Sequence, residues 1–468
     1  MTSDSSHTSG KKSFQTLRAT LRGDLLEPGV DGYDVSRKIW NAIIDKHPSV
    51  IAKCQGVADI ITCVNYAREN KLLLSVKGGG HHVSGTAVCD DGLMIDLSDM
   101  DGVWVDPYSK TARVQSGATW GEVDHETQEF GLATVGGQDP NIGVAGMTLG
   151  GGVGWLSRKY GLTIDNLLEV DLVTADGRFV TASEAHHSEL FWALRGGGGN
   201  FGVATSFKFQ LHNVGPEVLA GSLIHPVECV PELTEFYDAF TAEAPDELRT
   251  LFGIMVLGEG AHLPPELYNE QVAIIVSLYA GDPDEGVADL APLRNFGQPI
   301  VDSIRKRPYK EFQQAGTSDE RWRTYLRSQY LDELSPGIID ILMEYSRGIP
   351  SKESTVFISH RGGAETRPAV DATAYPHREE SHHVLIEARW EDPDRDDEHI
   401  SWVQGFHREL QPYSIDGPAM NFLTSDESEK RVNASYGQNY EKLVEVKNEW
   451  DPNNLFRMNQ NIRPTLED

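Results

Sequence analysis

Three glycine-rich clusters constrain the fold of this chain more than any other feature of its sequence. They are Gly78-Gly79-Gly80, the segment from Gly143 to Gly161, and Gly196-Gly197-Gly198-Gly199. Such runs weaken helix and strand interiors, but they let the backbone turn sharply and bring N–H groups close to a ligand. The first cluster follows the apolar strand pattern Leu72 to Val76 and leads into His81, so it is placed to hold phosphate oxygens. Taken alone, such a run is more often an ordinary turn before a surface histidine.

The third cluster contains the spacing G-x-G-x-x-G at Gly197, Gly199 and Gly202, which is typical of Rossmann domains. That fingerprint requires a strand before the glycines and a helix after them. Here the order is reversed, because a helical pattern covers 188–194 and an alternating strand pattern covers 203–211. The sequence therefore disfavours a Rossmann fold and an NAD-dependent enzyme. A metal enzyme is disfavoured as well, since the sequence contains no spaced set of His, Cys and Asp ligands.

The pattern along the chain predicts an α+β protein in two parts. Helical and strand patterns alternate over about 40–212, beginning with a helix at 57–70. Residues 169–182 read as a β-hairpin, because Asp176-Gly177 favours the primed turn that matches the twist of the strands. The character changes after Pro216, which indicates a second domain. The elements predicted beyond that point include helices at 231–244, 285–296 and 434–450 and a strand at 272–279.

Composition indicates an enzyme-sized protein with an unusually acidic surface. The 468 residues are 39% hydrophobic, enough for a sizeable core, and 71 acidic against 41 basic residues give a formal net charge of −30. Such a charge disfavours nucleic acid and anionic membranes as partners and suits a halophilic source. Four scattered cysteines indicate reduced thiols, and the sequence shows neither an apolar span nor a signal peptide, which predicts a cytoplasmic location.

With these features taken together, the chain resembles the berberine bridge enzyme-like FAD-linked oxidoreductases, which carry a p-cresol methylhydroxylase-type FAD-binding domain. The resemblance depends on four segments in the family's order: 77–85, 143–166, 190–202 and 451–462. It implies an α+β fold of the vanillyl-alcohol-oxidase-like type. In that fold an FAD domain of two α/β subdomains is joined to a substrate domain whose antiparallel sheet is covered by helices.

The resemblance implies a division of the chain into four parts. Residues 1–35 form an N-terminal segment whose start is expected to be disordered, since it is strongly polar. The FAD-binding domain covers 36–213 and the substrate-binding domain covers 214–418. The last segment, 419–468, is expected to return to the FAD domain.

The resemblance also implies that FAD is bound covalently, with His81 attached to the 8α-methyl group of the flavin. Relatives that form a second bond use a cysteine in a C-P-x-x-G segment, whereas the matching segment here begins with Asp139, which cannot form a thioether. We therefore expect a single link through His81 and a less oxidising flavin than a doubly linked one. The other residues matched to the cofactor site are Lys77, Gly78, Gly79, Gly80, His82, Ser84, Gly85, Asp139, Gly143, Gly146, Gly150, Gly151, Gly154, Asp165, Asn166, Gly202, Val203, Asn421 and Asn459.

The base that accepts the substrate's proton is expected in the second domain, on a strand at 382–390. Period-two alternation places His383, Leu385 and Glu387 on one face of this strand. The resemblance implies that such a strand carries polar residues facing the flavin, so His383 and Glu387 are the candidate catalytic pair. A solvated strand face is the alternative interpretation. Tyr436 is a further candidate for the flavin edge.

The sequence departs from its relatives at the substrate end. Relatives often carry Y-x-N before an aromatic residue, whereas this chain reads Ala419-Met420-Asn421-Phe422. The missing tyrosine puts in doubt any substrate taken over from those relatives. The resemblance places Ile142 at a gate-like position and implies that a branched side chain there would hinder oxygen, so an acceptor other than O2 stays open.

The implied function is oxidation of a small-molecule substrate by hydride transfer to flavin N5, followed by reoxidation by O2 or another acceptor. A sugar or secondary alcohol, oxidised at its C–OH carbon, is the first choice of donor, and an amine is the runner-up. A flavin-binding protein that has lost catalysis is the remaining alternative. No metal, membrane or nucleic-acid partner is expected, and the oligomeric state stays open.

Overall fold

The computed structural model describes residues 7–259, 263–315, 320–415 and 417–465. Disorder was expected at the start of the chain, and residues 1–6 lie outside these ranges, while the chain is helical from His7. The described residues form two regions, each built around its own sheets, and a C-terminal segment that packs against the first region. Within these ranges no helix is both long enough and apolar enough to cross a membrane.

The first region begins with a small sheet that ends in the first glycine cluster. Its strands are β1 (Leu25–Leu26), β2 (Val50–Lys53), β3 (Leu74–Lys77) and β4 (Leu93–Asp96), in the order β1-β2-β4-β3. Its helices are α1 (His7–Thr20), α2 (Tyr33–Ser36) and α3 (Val57–Glu69). Strands β2 and β3 run parallel to β4, and α3 connects β2 to β3. Gly78 therefore follows the carboxyl end of a parallel strand, where open α/β sheets bind ligands.

A second, antiparallel sheet completes the first region. Its strands are β5 (Val103–Asp106), β6 (Thr111–Gln115), β8 (Leu167–Val173), β9 (Phe179–Ser183) and β10 (Val203–Gln210), in the order β5-β6-β10-β8-β9. Beside it, β7 (Leu132–Ala133) pairs with β11 (His212–Asn213), and the helices are α4 (Trp120–Gln128), α5 (Val144–Leu149), α6 (Ser157–Tyr160) and α7 (Ser188–Leu194). The predicted hairpin is confirmed as β8 and β9, and the third glycine cluster does lie between a helix, α7, and a strand, β10.

The second region is an antiparallel sheet that is covered on one face by four of its five helices. Its strands are β12 (Glu217–Pro226), β13 (Leu248–Val256), β14 (Gln271–Tyr279), β15 (Val301–Asp302), β16 (Arg305–Pro308), β17 (Arg323–Leu331), β18 (Thr355–His360) and β19 (His382–Trp390). Their order is β15-β12-β14-β13-β18-β19-β17, with β16 beside β12. The helices are α8 (Val230–Ala242), α9 (Pro283–Asn295), α10 (Tyr309–Gln313), α11 (Pro336–Ser346) and α12 (Asp396–Leu410). Val384 and Ile386 of β19 pack with Phe406 of α12, so alternate residues of β19 point away from the helices.

The C-terminal segment leaves the second region and packs into the core of the first. Its helices are α13 (Glu429–Ala434) and α14 (Tyr440–Trp450). Leu443 of α14 and Ile462 share a buried cluster with Phe207 of β10. The fully buried Lys447 Nζ donates hydrogen bonds to O of Asn200 at 2.8 Å and to the carboxylate of Asp451 at 2.7 Å. The tail is thereby fastened to the third glycine cluster.

Candidate active site

The first and second glycine clusters meet in a direct contact between backbones. A Cβ atom built on Gly79 would lie 2.5 Å from Cα of Gly143, and one built on Gly143 would lie 2.4 Å from N of Gly79. A Cβ atom on Gly78 would lie 2.8 Å from O of Ser116. These distances leave no room for side chains, so the glycines are required for the loops after β3 and before α5 to lie against each other.

Gly150 and Gly151 contact residues from the other parts of the chain. A Cβ atom on Gly150 would lie 2.5 Å from Nδ2 of Asn421, and one on Gly151 would lie 2.6 Å from the ring of Tyr375. Asn421 Nδ2 also donates a hydrogen bond to O of Met147 at 3.3 Å. Gly146, in contrast, faces open space, with no atom within 4 Å of its Cβ position. The second cluster therefore has an uncovered stretch of backbone between its packed ends.

Side-chain amides of Asn459 and Asn200 join the third glycine cluster to the C-terminal segment. Asn459 Nδ2 donates to O of Gly199 at 3.0 Å, and Asn200 Nδ2 donates to O of Gln460 at 3.0 Å. The Cβ position of Gly199, like that of Gly146, faces open space. Sequence reasoning found Asn459 but missed Asn200 and Gln460, because their contacts join residues 260 positions apart in the chain.

Several buried polar atoms beside these glycines have no hydrogen-bond partner among the residues that the structure describes. They are Ser116 Oγ, Gln138 Nε2, Asn459 Oδ1, Gln460 Nε2 and Asn461 Oδ1. Each unsatisfied buried group costs about 1 to 3 kcal/mol. Such a concentration of donors and acceptors around open glycine backbone indicates a binding surface for a large polar ligand.

His81 follows the first cluster and is fixed by an aromatic neighbour. Its ring stacks on Trp40 with centroids 4.6 Å apart and an interplanar angle of 20°. Burial lowers the pKa of His81 to about 4, although the nearby carboxylate of Asp139 opposes this. The ring is therefore neutral near pH 7, and a neutral imidazole is the nucleophilic form. Asp139 itself is half-buried and accepts a hydrogen bond from N of Asn141 at 2.8 Å.

His82 uses both ring nitrogens within the protein. Its Nε2 lies 3.2 Å from O of Met420, which can only accept, so this nitrogen carries the proton. Nδ1 then accepts from the N–H of Ser84 at 3.2 Å and from its hydroxyl at 2.7 Å. His82 and Ser84 therefore join the first glycine cluster to the segment Met420–Phe422.

Three of the predicted cofactor residues use their polar groups to hold the fold. Lys77 Nζ lies 3.4 Å from the buried carboxylate of Asp96. The two oxygens of Asp165 accept hydrogen bonds from Arg378, each at 2.8 Å. Asn166 Nδ2 donates to two backbone carbonyls at 2.9 Å. These side chains support the loops of the cradle, and a direct contact of any of them with a cofactor stays a prediction.

Further predicted cofactor residues are required by the packing of the chain on itself. They are Gly80, Gly85, Gly154, Gly202 and Val203. A Cβ atom on Gly154 would lie 1.7 Å from O of Gly136, and one on Gly202 would lie 2.7 Å from O of Val173. The Val203 side chain is buried within β10. These residues therefore shape the glycine loops through their packing against other parts of the protein.

The polar face of β19 lies across from the glycine clusters. The ring centroids of His383 and Phe422 are 5.1 Å apart. Met420, two residues before Phe422, contacts the third glycine cluster, since a Cβ atom on Gly198 would lie 3.2 Å from its Sδ. In the sheet, His383 is paired with Tyr330 of β17 and Ser359 of β18. A cleft between the two regions is thereby bordered by glycine backbone on one side and by His383 on the other.

His383 is neutral and has an unpartnered ring nitrogen. Burial, together with the positive charges of Arg361 and Arg249, lowers its pKa to about 3. Its Nε2 is buried and has no hydrogen-bond partner within the described ranges. A neutral imidazole with a free nitrogen can accept a proton or a hydrogen bond from a ligand in the cleft.

Glu387 lies on the same face of β19 but near the opposite end. A strand rises about 3.3 Å per residue, so four residues separate His383 and Glu387 by about 13 Å. Glu387 is 7% exposed and forms an ion pair with Arg389 at 3.0 Å. The guanidinium of Arg389 lies 5.5 Å from the ring of Trp40, which stacks on His81. His383 and Glu387 therefore line one cleft without touching each other, and Glu387 lies at the end of the cleft near His81.

Tyr436 lies in the core of the first region. It is fully buried, and its hydroxyl donates a hydrogen bond to O of Gln460 at 2.5 Å. Asn200 Nδ2 also approaches that hydroxyl at 3.4 Å. The structure thus places Tyr436 in the packing between the tail and the third glycine cluster, and it does not bring the side chain to the His383 face.

Comparison with known proteins identifies the family. A family profile described as "FAD binding domain" matches residues 48–183, and one described as "Berberine and berberine like" matches 420–463. An FAD-linked oxidoreductase of Dictyostelium discoideum is 30% identical over 455 residues, covering 95% of each chain. The chain belongs to the berberine bridge enzyme-like FAD-linked oxidoreductases. This confirms the resemblance and the enzyme class that the sequence indicated.

Three further similarities concern oxidases whose names include a substrate. The (R)-6-hydroxynicotine oxidase of Paenarthrobacter nicotinovorans is 30% identical to this oxidoreductase over 465 residues, covering 95% of this chain and 97% of the relative. The crystal structure of 6-hydroxy-D-nicotine oxidase from Arthrobacter nicotinovorans superposes with a TM-score of 0.86, at 28% identity and 95% and 98% coverage. A chitooligosaccharide oxidase, at 23% identity, has a TM-score of 0.86 and shares the fold, which confirms the predicted architecture.

The residues of the oxidoreductase fit FAD. Open backbone at Gly146 and Gly199 and the unpartnered polar atoms of the tail provide the donors and acceptors that a dinucleotide with a ribityl chain requires. Gly78 and Gly79 would supply the backbone N–H groups for the pyrophosphate. Trp40 was missed from the sequence, since only the fold brings it to His81. Within the described ranges no cluster of three or more His, Cys, Asp or Glu side chains could hold a metal ion.

Proposed function

We propose that the oxidoreductase removes a hydride from a carbon that bears a hydroxyl group, in a sugar or a secondary alcohol. The observation that carries the proposal is His383, a neutral ring on the cleft face whose Nε2 has no partner among the described residues. FAD, when bound, accepts the hydride at N5 and passes its electrons to O2 or another acceptor. His383 Nε2 accepts the hydrogen bond of the substrate hydroxyl and takes its proton as the hydride leaves.

The charges around His383 favour an alcohol over an amine. Arg361 and Arg249 add to the effect of burial in lowering the pKa of His383, so its surroundings are electropositive. A positive potential stabilises the negative charge that develops on a hydroxyl oxygen as its proton leaves. The same potential opposes the binding of an ammonium ion.

Amine oxidation is the second candidate function. Two observations favour it: the buried carboxylate of Glu387 on the cleft face, and the 28 to 30% identity to oxidases named for hydroxynicotine substrates. A buried carboxylate can bind a protonated amine. Arg389 already neutralises much of the charge of Glu387, and for this reason we rank the amine second.

A substrate panel distinguishes these functions. Under anaerobic conditions, loss of flavin absorbance would be followed with xylobiose and 1-phenylethanol as hydroxyl donors and with 6-hydroxynicotine as an amine donor. We expect a hydroxyl donor to reduce the flavin faster, and we expect His383→Asn to slow this reduction by about 10²- to 10⁴-fold, the usual contribution of a general base. The exposed His47→Gln is the control. Faster reduction by the amine would reverse the ranking, and a flavin that no donor reduces would favour the catalytically inactive alternative.

We further propose that FAD is attached covalently through His81 alone. The neutral ring of His81 and its fixed orientation against Trp40 support a nucleophilic role, and Asp139 offers no thiol for a second link. In a denaturing gel under ultraviolet light, the wild-type polypeptide should carry flavin fluorescence and His81→Ala should not. His82→Gln is the matched variant, because His82 is already hydrogen-bonded through both nitrogens. Fluorescence that persists in His81→Ala would contradict the link.

A further inference from the structure

Two buried tyrosines, Tyr330 and Tyr375, close one side of the cleft beside His383. Tyr330 lies directly opposite His383 in the β17–β19 pair, with ring centroids 4.9 Å apart. The ring of Tyr375 lies against Gly151 of the second glycine cluster, and its hydroxyl is 2.7 Å from that of Tyr330. Tyr330 is 2% and Tyr375 is 3% exposed. The pair thus connects the substrate sheet to the cofactor cradle at the level of His383.

The hydroxyl pair has one hydrogen-bond donor in excess. Two hydroxyls carry two protons, and the bond between them uses one. Within the described ranges neither hydroxyl has a further hydrogen-bond partner. A buried O–H without an acceptor is costly, so this donor indicates a ligand atom that accepts from it. Directly across the strand pair, His383 Nε2 also lacks a partner within those ranges, and in the tautomer protonated at Nδ1 it is an acceptor.

Arg361 fixes the orientation of this donor. Its guanidinium lies 4.9 Å from the centroid of the Tyr330 ring, at the distance of a cation–π contact. Arg361 is held in turn by the carboxylate of Glu380 at 2.6 Å and by O of His377 at 2.8 Å. Burial raises the pKa of both tyrosines, so their hydroxyls stay protonated and can donate.

We propose that Tyr330 donates a hydrogen bond to the substrate's oxygen and that Tyr375, donating to Tyr330, holds it in place. The inference rests on the proposed function, since it names the groups that recognise the C–OH. A hydroxyl is a donor and an acceptor at once, and it would satisfy His383 and Tyr330 together. An ammonium group has no lone pair to accept from Tyr330, so the same arrangement discriminates against a charged amine. Tyr330 is then a catalytic residue and Tyr375 a positioning residue.

The variants Tyr330→Phe and Tyr375→Phe, as holoenzymes, test this assignment. Second-order rate constants of anaerobic flavin reduction would be measured with xylobiose, 1-phenylethanol and 6-hydroxynicotine. With the hydroxyl donors, Tyr330→Phe should lose about 10- to 100-fold, because it leaves a substrate lone pair and Tyr375 without a partner. Tyr375→Phe should lose less, and in both variants the ratio of hydroxyl to amine rates should fall. Tyr325→Phe is the matched control, since Tyr325 is in β17 but its hydroxyl donates to Asp426, away from the cleft.

The outcomes separate this inference from the function on which it rests. If a hydroxyl donor reduces the wild-type flavin and reduces Tyr330→Phe equally fast, the inference is overturned and the proposed function stands. If no hydroxyl donor reduces the wild-type flavin, both are overturned. Bound flavin absorbance and melting temperature show whether each variant folds. Should Tyr330→Phe fail to fold, Tyr375→Phe decides, and an unchanged ratio of hydroxyl to amine rates in that variant overturns the inference.

Discussion

Asp124 on α4 allows a quantitative test of the fold, because it is a buried carboxyl group that has no cationic hydrogen-bond partner among the described residues. It is 3% exposed and accepts one hydrogen bond, from Gln313 Nε2 on α10 at 3.0 Å. Burial raises its pKa from the ordinary value of 3.8 to about 7, while the bond from Gln313 and the charge of Lys310 only partly oppose this. The neighbouring Gln313 Oε1 is buried without a partner within the described ranges.

The sign of the pH effect follows from the raised pKa of Asp124. Between about pH 4 and pH 7 the folded state holds a proton that the unfolded state has released, so the free energy of unfolding decreases as pH rises. At about 1.4 kcal/mol for each unit of pKa, the cost reaches about 4 kcal/mol above pH 7 and vanishes below about pH 4. Asp124→Asn removes the titration and keeps an acceptor for Gln313.

We therefore expect Asp124→Asn to be more stable than wild type by about 4 kcal/mol at pH 8 and by only about 1 kcal/mol at pH 4.5. Urea unfolding of the holoenzyme, followed by tryptophan fluorescence at both pH values, measures the difference. Glu126→Gln, an exposed position on the same helix that loses the same charge, is the control. A change of stability from pH 4.5 to pH 8 that is the same in Asp124→Asn as in wild type would refute the reasoning.

Three further predictions concern the tail, oxygen and salt. Lys447→Met should destabilise the protein by about 3 to 5 kcal/mol, because it leaves the buried carboxylate of Asp451 without its ion-pair partner. Lys442→Met, which removes an exposed ion pair on the same helix, should cost at most about 1 kcal/mol. Urea unfolding of the two variants measures the difference. Ile142→Ala should speed reoxidation of the reduced flavin in air, measured by stopped flow, if Ile142 guards the flavin as the resemblance implies. Because the net charge is −30, raising KCl from about 0.1 M to 1 M should raise the melting temperature, and a decrease would contradict a halophilic source.

The sequence predicted the elements whose determinants are local. The hairpin turn depends on Asp176-Gly177, and the helix predicted at 285–296 appears as α9, Pro283–Asn295, because a proline and an Asp N-cap start it. The glycine clusters predicted a binding surface for the same reason. Each cluster requires glycine for close backbone contact, whichever other segment of the chain supplies that contact. The contact of Gly79 with Gly143 is a meeting of two such loops.

The substrate end could not be predicted in the same way, because its residues meet only through the topology. Tyr330 and His383 are neighbours because β17 pairs with β19, and Tyr375 reaches Tyr330 from a loop that no periodic pattern marks. Trp40, which stacks on His81, lies in the irregular segment between α2 and β2. The alternation of β19 was nevertheless enough to place His383 on the face that points away from α12, since the opposite face is fixed by packing on that helix.

The buried arginines of the protein contrast with the acidic composition of the whole chain. In a protein with 71 acidic and 41 basic residues, four buried arginines lie close to Glu365: Arg158, Arg249, Arg361 and Arg378. Three of them pair with carboxylates, of Glu365, Glu380 and Asp165, while Arg158 is hydrogen-bonded to carbonyls and His360 and forms no ion pair within the described ranges. Buried ion pairs are a poor source of stability compared with apolar packing of the same volume. Two of these arginines, Arg361 and Arg249, act with burial to keep His383 neutral, and under the proposed function their positive charge would also stabilise the negative charge that develops on the substrate oxygen.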